Sequence, residues 1–223
     1  MKYLKKFLIG LYLIKLRISY AGYQPVPWLK LEAKDRTQST YDRWDAIEKN
    51  IGEIVRGSAL DIGSNVGFFT LKYAHEGFFT IGVERYSGSV DFANFIRHQT
   101  KTENVAFSHM EITPKNINTL PEVDLINLLS VWHHWVQEFG LQSGNQMLET
   151  VWKKTKQCLI FEGGEDTEIQ KLGIVEDPKS WTKQQLQKVC EGGEIIEIGS
   201  FSSEHPTDPV MRTLYMIKKN KDS

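Results

Sequence analysis

Residues 58–70 run Ser-Ala-Leu-Asp-Ile-Gly-Ser-Asn-Val-Gly-Phe-Phe-Thr, and no other stretch of the chain limits its fold so strongly. A short apolar strand, Ala59 to Ile62, enters a tight turn framed by Gly63 and Gly67, and a helical apolar pattern begins at Phe68. The next strand, Thr80-Ile81-Gly82-Val83-Glu84, ends in a carboxylate about 20 residues beyond the turn. Strand, glycine turn, helix and an acid at the next strand's tip describe a βαβ unit of the nucleoside-binding kind. Gly63 lets the main chain approach a ligand where a Cβ would clash. Glu84 can offer its two oxygens to the two ribose hydroxyls. The flanking pattern argues against the plainer alternative, a glycine turn with no ligand.

The rest of the chain repeats the alternation. Residues 87–100 read as a helix with Val90, Phe92, Ala93 and Ile96 toward the sheet, and Asn104–Ser108 reads as a third strand. Val123-Asp124-Leu125-Ile126-Asn127-Leu128-Leu129 is a near-continuous apolar run, as expected of a strand buried on both faces. A helix over 143–156 leads into a fifth strand, Gln157–Glu162. Strands alternating with helices imply a parallel, doubly wound sheet. After a helix over 182–190 the pattern changes: Glu194–Gly199 and Met211–Ile217 are strands with only a turn-rich linker between them. That spacing predicts an antiparallel pair. The expected fold is α/β, a doubly wound, mostly parallel seven-stranded sheet with an antiparallel C-terminal strand pair. A chain of 223 residues suits one such domain at 58–219, behind a Pro-punctuated connector and a lid helix at 22–57 that is capped near Thr40.

The details of the turn bear on which nucleoside it suits. A dinucleotide fingerprint, G-x-G-x-x-G, places its second glycine where the main chain meets a pyrophosphate. Asn65 stands there instead; it tolerates a left-handed conformation but makes a poorer pyrophosphate cradle. Leu60-Asp61-Ile62-Gly63-Ser64-Asn65-Val66-Gly67 resembles motif I of the class I S-adenosylmethionine-dependent methyltransferases, with Asn65 for the usual central glycine. The resemblance spans Ala59 to Glu162, and that fold also finishes with an antiparallel strand. It implies S-adenosyl-L-methionine as cofactor, bound by Asp61, Gly63, Ser64, Asn65 and Gly67. It further implies Glu84 on the ribose, Arg85 and Glu111 beside the adenine, and Ser130 where the methyl-transfer site begins. Asp61 would answer the cofactor's cationic end, which carries an amino group and no phosphate.

Ser130-Val131-Trp132-His133-His134-Trp135 follows the fourth strand, where doubly wound sheets hold their chemistry. Methyl transfer is an in-line displacement, for which an enzyme supplies alignment and, for an oxygen nucleophile, a base. Histidine can be that base near neutral pH. Neighbours on a regular element cannot both enter one pocket, so His134 is preferred over His133, and either can instead merely order the loop. Trp132 and Trp135 suit an apolar or sugar-like acceptor, or core packing. Tyr41, Arg43 and Trp44 read as an ordinary amphipathic helix or as a lid on the cofactor's carboxylate end. Glu162, Glu165 and Asp166 cluster after the fifth strand, but no partner ligand has convincing spacing at the fourth, so no metal is expected. Cys158 and Cys190 stand far apart and form neither a disulfide framework nor a zinc knuckle.

The acceptor is less constrained. The His-His stretch and the basic N-terminus resemble methyltransferases that modify cell-surface polysaccharides or their lipid-linked precursors. That implies O-methylation of a small-molecule, sugar or lipid-linked glycan acceptor. Enzymes that methylate the phosphate ends of RNA have a similar Asp-Ile-Gly-x-Asn-Val-Gly turn, but their post-strand motif differs. A net charge of −1 gives no overall case for nucleic acid. Residues 1–31 hold six basic and no acidic residues, and over 1–18 they pattern as an amphipathic helix able to lie in an anionic membrane surface. The same segment fits a cap on the domain, and Ser19-Tyr20-Ala21 resembles a secretory cleavage site, although the apolar run is short for a signal peptide. The expected location is the cytoplasm, with the membrane's inner face as the surface contacted. An NAD-dependent oxidoreductase and an inactive cofactor-binding recruitment module complete the alternatives.

Overall fold

Successive residues of a strand point to opposite faces, and the central strands of this chain are apolar at both parities. Leu60 and Ile62, Ile126 and Leu128, Leu159 and Phe161, and Tyr215 and Ile217 share one buried cluster with Trp132, Leu148 and Leu186. Ala59, Leu125, Cys158 and Ile160, and Leu214 and Met216 share the other with Trp44, Ile47, Phe68 and Tyr73. Such strands bury neither face without a helical layer on each side. The computed structural model, which describes residues 22–33, 36–164, 177–203 and 210–220, has those layers.

The strands are β1 (Ser58–Ile62), β2 (Phe79–Glu84), β3 (Val105–His109), β4 (Val123–Leu129), β5 (Thr155–Glu162), β6 (Gly193–Ser203) and β7 (Val210–Lys219). They form one sheet in the order β3-β2-β1-β4-β5-β7-β6. Pairings are parallel from β3 to β5, and β7 runs antiparallel to both β5 and β6. The α-helices among the described residues are α1 (Thr37–Asn50), α2 (Phe68–His75), α3 (Ser87–Thr100), α4 (Trp132–Phe139), α5 (Leu141–Lys154) and α6 (Pro178–Val189). Helices α1 and α2 lie on the Trp44–Tyr73 face; α4, α5 and α6 lie on the Trp132 face.

The expected fold class is the observed one, with shifts at the boundaries. Helix α1 starts at Thr37 and lacks a side-chain cap, so Thr40 is inside it. Helix α5 gives way directly to β5 at Thr155, two residues before the expected strand. Helix α6 begins at Pro178, where the Asp177 carboxylate accepts the Ser180 amide as a cap that the sequence reading passed over. Strands β6 and β7 are longer than expected because each satisfies the other's backbone over ten paired positions. Helix α4 is the main addition, since the post-strand motif itself coils into two turns. Residues 1–21, with the amphipathic segment, and 204–209 in the β6–β7 linker lie outside the described residues. No helix among those described is long and apolar enough to cross a membrane.

The C-terminal ends of β1, β2, β4 and β5 are brought together because the strand order reverses between β1 and β4. Helix α2 approaches β2 closely at Gly82, where a Cβ would come within 2.7 Å of the Phe107 ring and 2.9 Å of Thr70 Oγ1. Gly82→Val should therefore cost about 1–3 kcal/mol through overpacking. Urea denaturation reads this, and a midpoint equal to the parent's would contradict the packing described.

Candidate active site

The turn after β1 closes on itself. Gly63 and Gly67 have φ of +77° and +88°, and Asn65 takes φ of +50° where the fingerprint glycine would stand. A Cβ on Gly63 would lie 2.5 Å from Val131 Cγ2, so the loop after β4 requires glycine there. The loop amides are all engaged internally. Gly63 and Ser64 donate to Val83 O, Asn65 donates to the Glu84 carboxylate at 2.9 Å, and Val66 donates to Asn65 Oδ1. Gly67 donates to Ser64 O, and Phe68 donates to Gln24 Oε1. This turn is held as a platform with no row of amides left for a pyrophosphate, which counts against the dinucleotide alternative.

A cavity of about 320 Å³ opens over this platform. Its walls include Asp61, Gly63, Asn65, Glu84, Arg85, Glu111, Ser130 and His134, eight of the eleven residues expected from the sequence. The other three lie behind it. Ser64 is buried, Gly67 sits under the Phe107 ring, and His133 packs into the interior.

Asp61 is 2 % exposed. Its carboxylate accepts from Thr70 Oγ1 at 2.6 Å and from Asn127 Nδ2 at 2.7 Å. Register places Asn127 directly beside it on β4. Tyr73 donates its hydroxyl to Asn127 Oδ1 at 3.0 Å, which orients the amide with its NH2 toward Asp61. Burial raises the Asp61 pKa to about 6; the two hydrogen bonds oppose this and the charge of Glu84 adds to it. Glu84 is held by two backbone amides, Asn65 on one oxygen and Tyr86 on the other.

At the other end, Ser130 adopts φ of +56° and links the tips of β4 and β5. Its Oγ donates to Glu162 Oε1 at 2.7 Å and accepts from Arg212 Nη1 at 2.6 Å. Arg43 of α1 donates from Nε to Glu162 Oε2 at 2.6 Å, with both side chains buried. Glu162 is thus committed to arginine. Among the described residues no cluster of acids, histidines and cysteines is placed to hold a metal ion; Glu165 and Asp166 lie outside them.

Helix α4 separates the two histidines. His134 borders the cavity with Trp135 and Glu138, which is one turn further along. His133 is 1 % exposed, and burial, then His134 and Arg212, lowers its pKa to about 2, so it stays neutral. Trp132 belongs to the core, 5.6 Å from the Trp181 ring. The sequence reading missed Tyr23, Gln24, Arg36, Thr40, Thr70, Tyr73 and Asn127. Only Asn127 carried a signal, as a polar residue inside an apolar strand. Of the three residues expected on an ordinary amphipathic helix or a lid, Arg43 borders the cavity, whereas Tyr41 and Trp44 pack on Phe68 and Tyr73.

Neither a family model nor a curated protein matches the sequence. Solved structures do. The bifunctional kinase-methyltransferase WbdD aligns with a TM-score of 0.67 at 23% identity, covering 87% of this chain and 43% of that one. Magnesium protoporphyrin IX methyltransferase (ChlM) from Synechocystis PCC 6803, crystallised with bound SAH, aligns with a TM-score of 0.61 at 17% identity, covering 82% and 83%. The chain shares its fold with these methyltransferase structures. The chain spans less than half the length of the WbdD chains it matches. Within this fold, the Arg43–Glu162 pair ties helix α1 to the sheet. Arg43→Met would leave Glu162 buried without that cation and should cost about 3–5 kcal/mol. Adding Glu162→Gln should recover part of the loss in the same denaturation assay, and a fully additive double variant would show that the pair is uncoupled.

Proposed function

We propose that the chain binds S-adenosyl-L-methionine and transfers its methyl group to a hydroxyl of a small-molecule, sugar or lipid-linked glycan acceptor. The observation that carries this reading is the pairing of Asp61 and Glu84 in one cavity over a glycine turn whose amides are already engaged. Such a wall recognises a nucleoside with a cationic tail rather than a pyrophosphate. In this reading Glu84, fixed by two amides, accepts the ribose hydroxyls, and Asp61 faces the cofactor's amino end. Gly63 and Asn65 admit the nucleoside close to the main chain, with Ser64 and Gly67 shaping the turn from behind. Arg85 and Glu111 flank the adenine, and Ser130 closes the far wall. Bound there, the cofactor would supply an electrophilic methyl group on a sulfonium. His134 would take the acceptor's proton, while neutral, buried His133 holds helix α4 in place.

The first check is titration calorimetry of the intact chain with S-adenosylhomocysteine and with NAD. Micromolar binding of the first alone is expected; binding of NAD alone would replace the assignment. Glu84→Ala should weaken S-adenosylhomocysteine about 100-fold, by loss of charge-assisted hydrogen bonds. Ionised Asp61 favours the ligand's ammonium, so affinity should rise with pH through about 6 and level off above it. A flat profile would remove Asp61 from this role.

His134→Ala should lower turnover roughly 100-fold or more and abolish the limb of the pH–rate profile that reports the base. Retention of both turnover and profile would mean that no base acts at this position. The measurement requires an acceptor, found by screening hydroxyl compounds with a labelled methyl donor.

A further inference from the structure

A parallel strand inside an α/β fold needs cover on both faces, because its apolar side chains alternate between them. Strands β2 and β3 have that cover on one face, where Val105 and Phe107 pack with Leu71 and Ala74 of α2 and Phe92 and Ile96 of α3. The other face is different. Register sets Phe79, Ile81 and Val83 of β2 in line with Ser58, Leu60 and Ile62 of β1, and Ala106 and Ser108 of β3 in line with Ile81 and Val83. Of these β2 and β3 residues only Val83 joins the Trp132 cluster. Phe79 is 71 % exposed, Ile81 is 38 % exposed, and Ala106 is exposed between them and the sheet edge. The cause is the β3–β4 connection, residues 110–122, which holds a 3-10 turn at Ile117–Thr119 and no α-helix. It delivers Ile112, Ile117 and Leu120 to the cluster beside Leu60 and Ile126 and leaves Phe79 and Ile81 bare.

The size of this strip limits what fits it. Neighbouring strands lie about 4.8 Å apart and rise about 3.3 Å per residue, so β2 and β3 offer a face roughly 10 Å wide and 20 Å long, the footprint of one helix. A stable contact with a second copy buries about 800 Å² on each partner, more than such a strip supplies. The chain's own N-terminal segment, outside the described residues, has the matching chemistry. In helical periodicity Leu4, Phe7, Leu8, Leu11, Ile14 and Ile18 share one face, and 18 residues in that form span about 27 Å. Its charged side chains are all basic, Lys2, Lys5, Lys6, Lys15 and Arg17. Glu103 and Glu122 stand exposed just before β3 and β4, at the same end of the sheet as Phe79. The described chain begins at Gly22, and Val26 joins Val105 of the edge strand β3 in one buried cluster, so the segment departs from the edge of the sheet that bears the strip.

We propose that residues 4–18 seat their apolar face on Phe79, Ile81 and Ala106 and supply the cover that the β3–β4 connection lacks. The flanking lysines then face Glu103 and Glu122. The proposal is independent of which cofactor the cavity holds.

The test uses the full chain. Phe79→Thr keeps a strand-forming residue and removes the ring. On a bare face it should move the melting temperature by less than about 2 °C, whereas beneath a docked segment it should lower it by roughly 4 °C or more. In a Leu8→Gln/Leu11→Gln background, which spoils the segment's apolar face, that loss should shrink to under about 2 °C. Separately, Ile81→Cys is combined in turn with Leu8→Cys, Leu11→Cys and Ile14→Cys; Cys158 and Cys190 are buried and stay out of the reaction. Mild oxidation should close a disulfide within one chain for at least one pair, and not for a Lys6→Cys control. An undiminished loss in the double-glutamine background, or no effect of Phe79→Thr in the parent, overturns the proposal. So does the absence of any disulfide, or equal closure by the control. A disulfide formed only between chains overturns it as well and assigns the strip to a second copy.

Discussion

The cavity depends on the parallel pairing of β1 with β4, because that register places Asn127 beside Asp61. A carboxylate near the end of a strand buried on both faces is costly to hold charged, and here it meets neutral donors rather than a cation. Thr70 reaches it from α2 and Asn127 from β4, while Tyr73 fixes the direction of the Asn127 amide. The hydrogen bonds do not cancel the burial, so the carboxyl titrates near 6. A buried carboxylate with a raised pKa on a cavity wall is a candidate functional group. In the function proposed above, the ammonium of S-adenosylmethionine would pair with it.

Glu162 shows the opposite solution at the tip of β5. It is as buried as Asp61, yet it has Arg43 on one oxygen and Ser130 on the other, with Arg212 behind Ser130. Breaking such a pair is expensive even where forming it gains little, so its value lies in fixing geometry. Arg43 comes from α1, Ser130 from the end of β4 and Arg212 from β7, so one carboxylate locates three elements around the cavity. The two buried acids are therefore held differently: Glu162 is paired with Arg43 and Ser130, whereas Asp61 lines the cavity with neutral donors only.

The turn after β1 shows how an asparagine is accommodated where the fingerprint glycine would stand. Asn65 adopts the left-handed conformation that the fingerprint glycine would take, and its side chain then accepts the Val66 amide. Its own amide goes to Glu84. A glycine could bring the main chain closer to a phosphate, whereas the asparagine side chain occupies the Val66 amide; the main-chain amides of residues 63–65 couple the tips of β1 and β2. The loop's amides are thereby engaged within the protein and form no anion cradle.

Much of the fold was legible in the sequence by itself. The apolar runs at 59–62, 123–129 and 157–162 required burial on both faces, the glycine turn required a βαβ unit, and the short link between the last two strands required an antiparallel ending. Each of these signals is local, or depends on chain length between neighbours, and so survives without coordinates. The strand-tip acids Asp61 and Glu84 were legible for the same reason, because a strand's C-terminal end faces the crevice whatever its surroundings. What only the tertiary structure decided was how distant residues meet: Asn127 and Tyr73 around Asp61, Arg43 against Glu162, and Arg36 on Tyr23. It also decided between the two histidines, since helix α4 turns His134 to the cavity and His133 to the core, a choice that rests on the angle at which a helix docks. Hydrogen bonds and ion pairs between residues dozens of positions apart leave no periodic trace in a sequence, because their partners are selected by the packing of the elements that carry them.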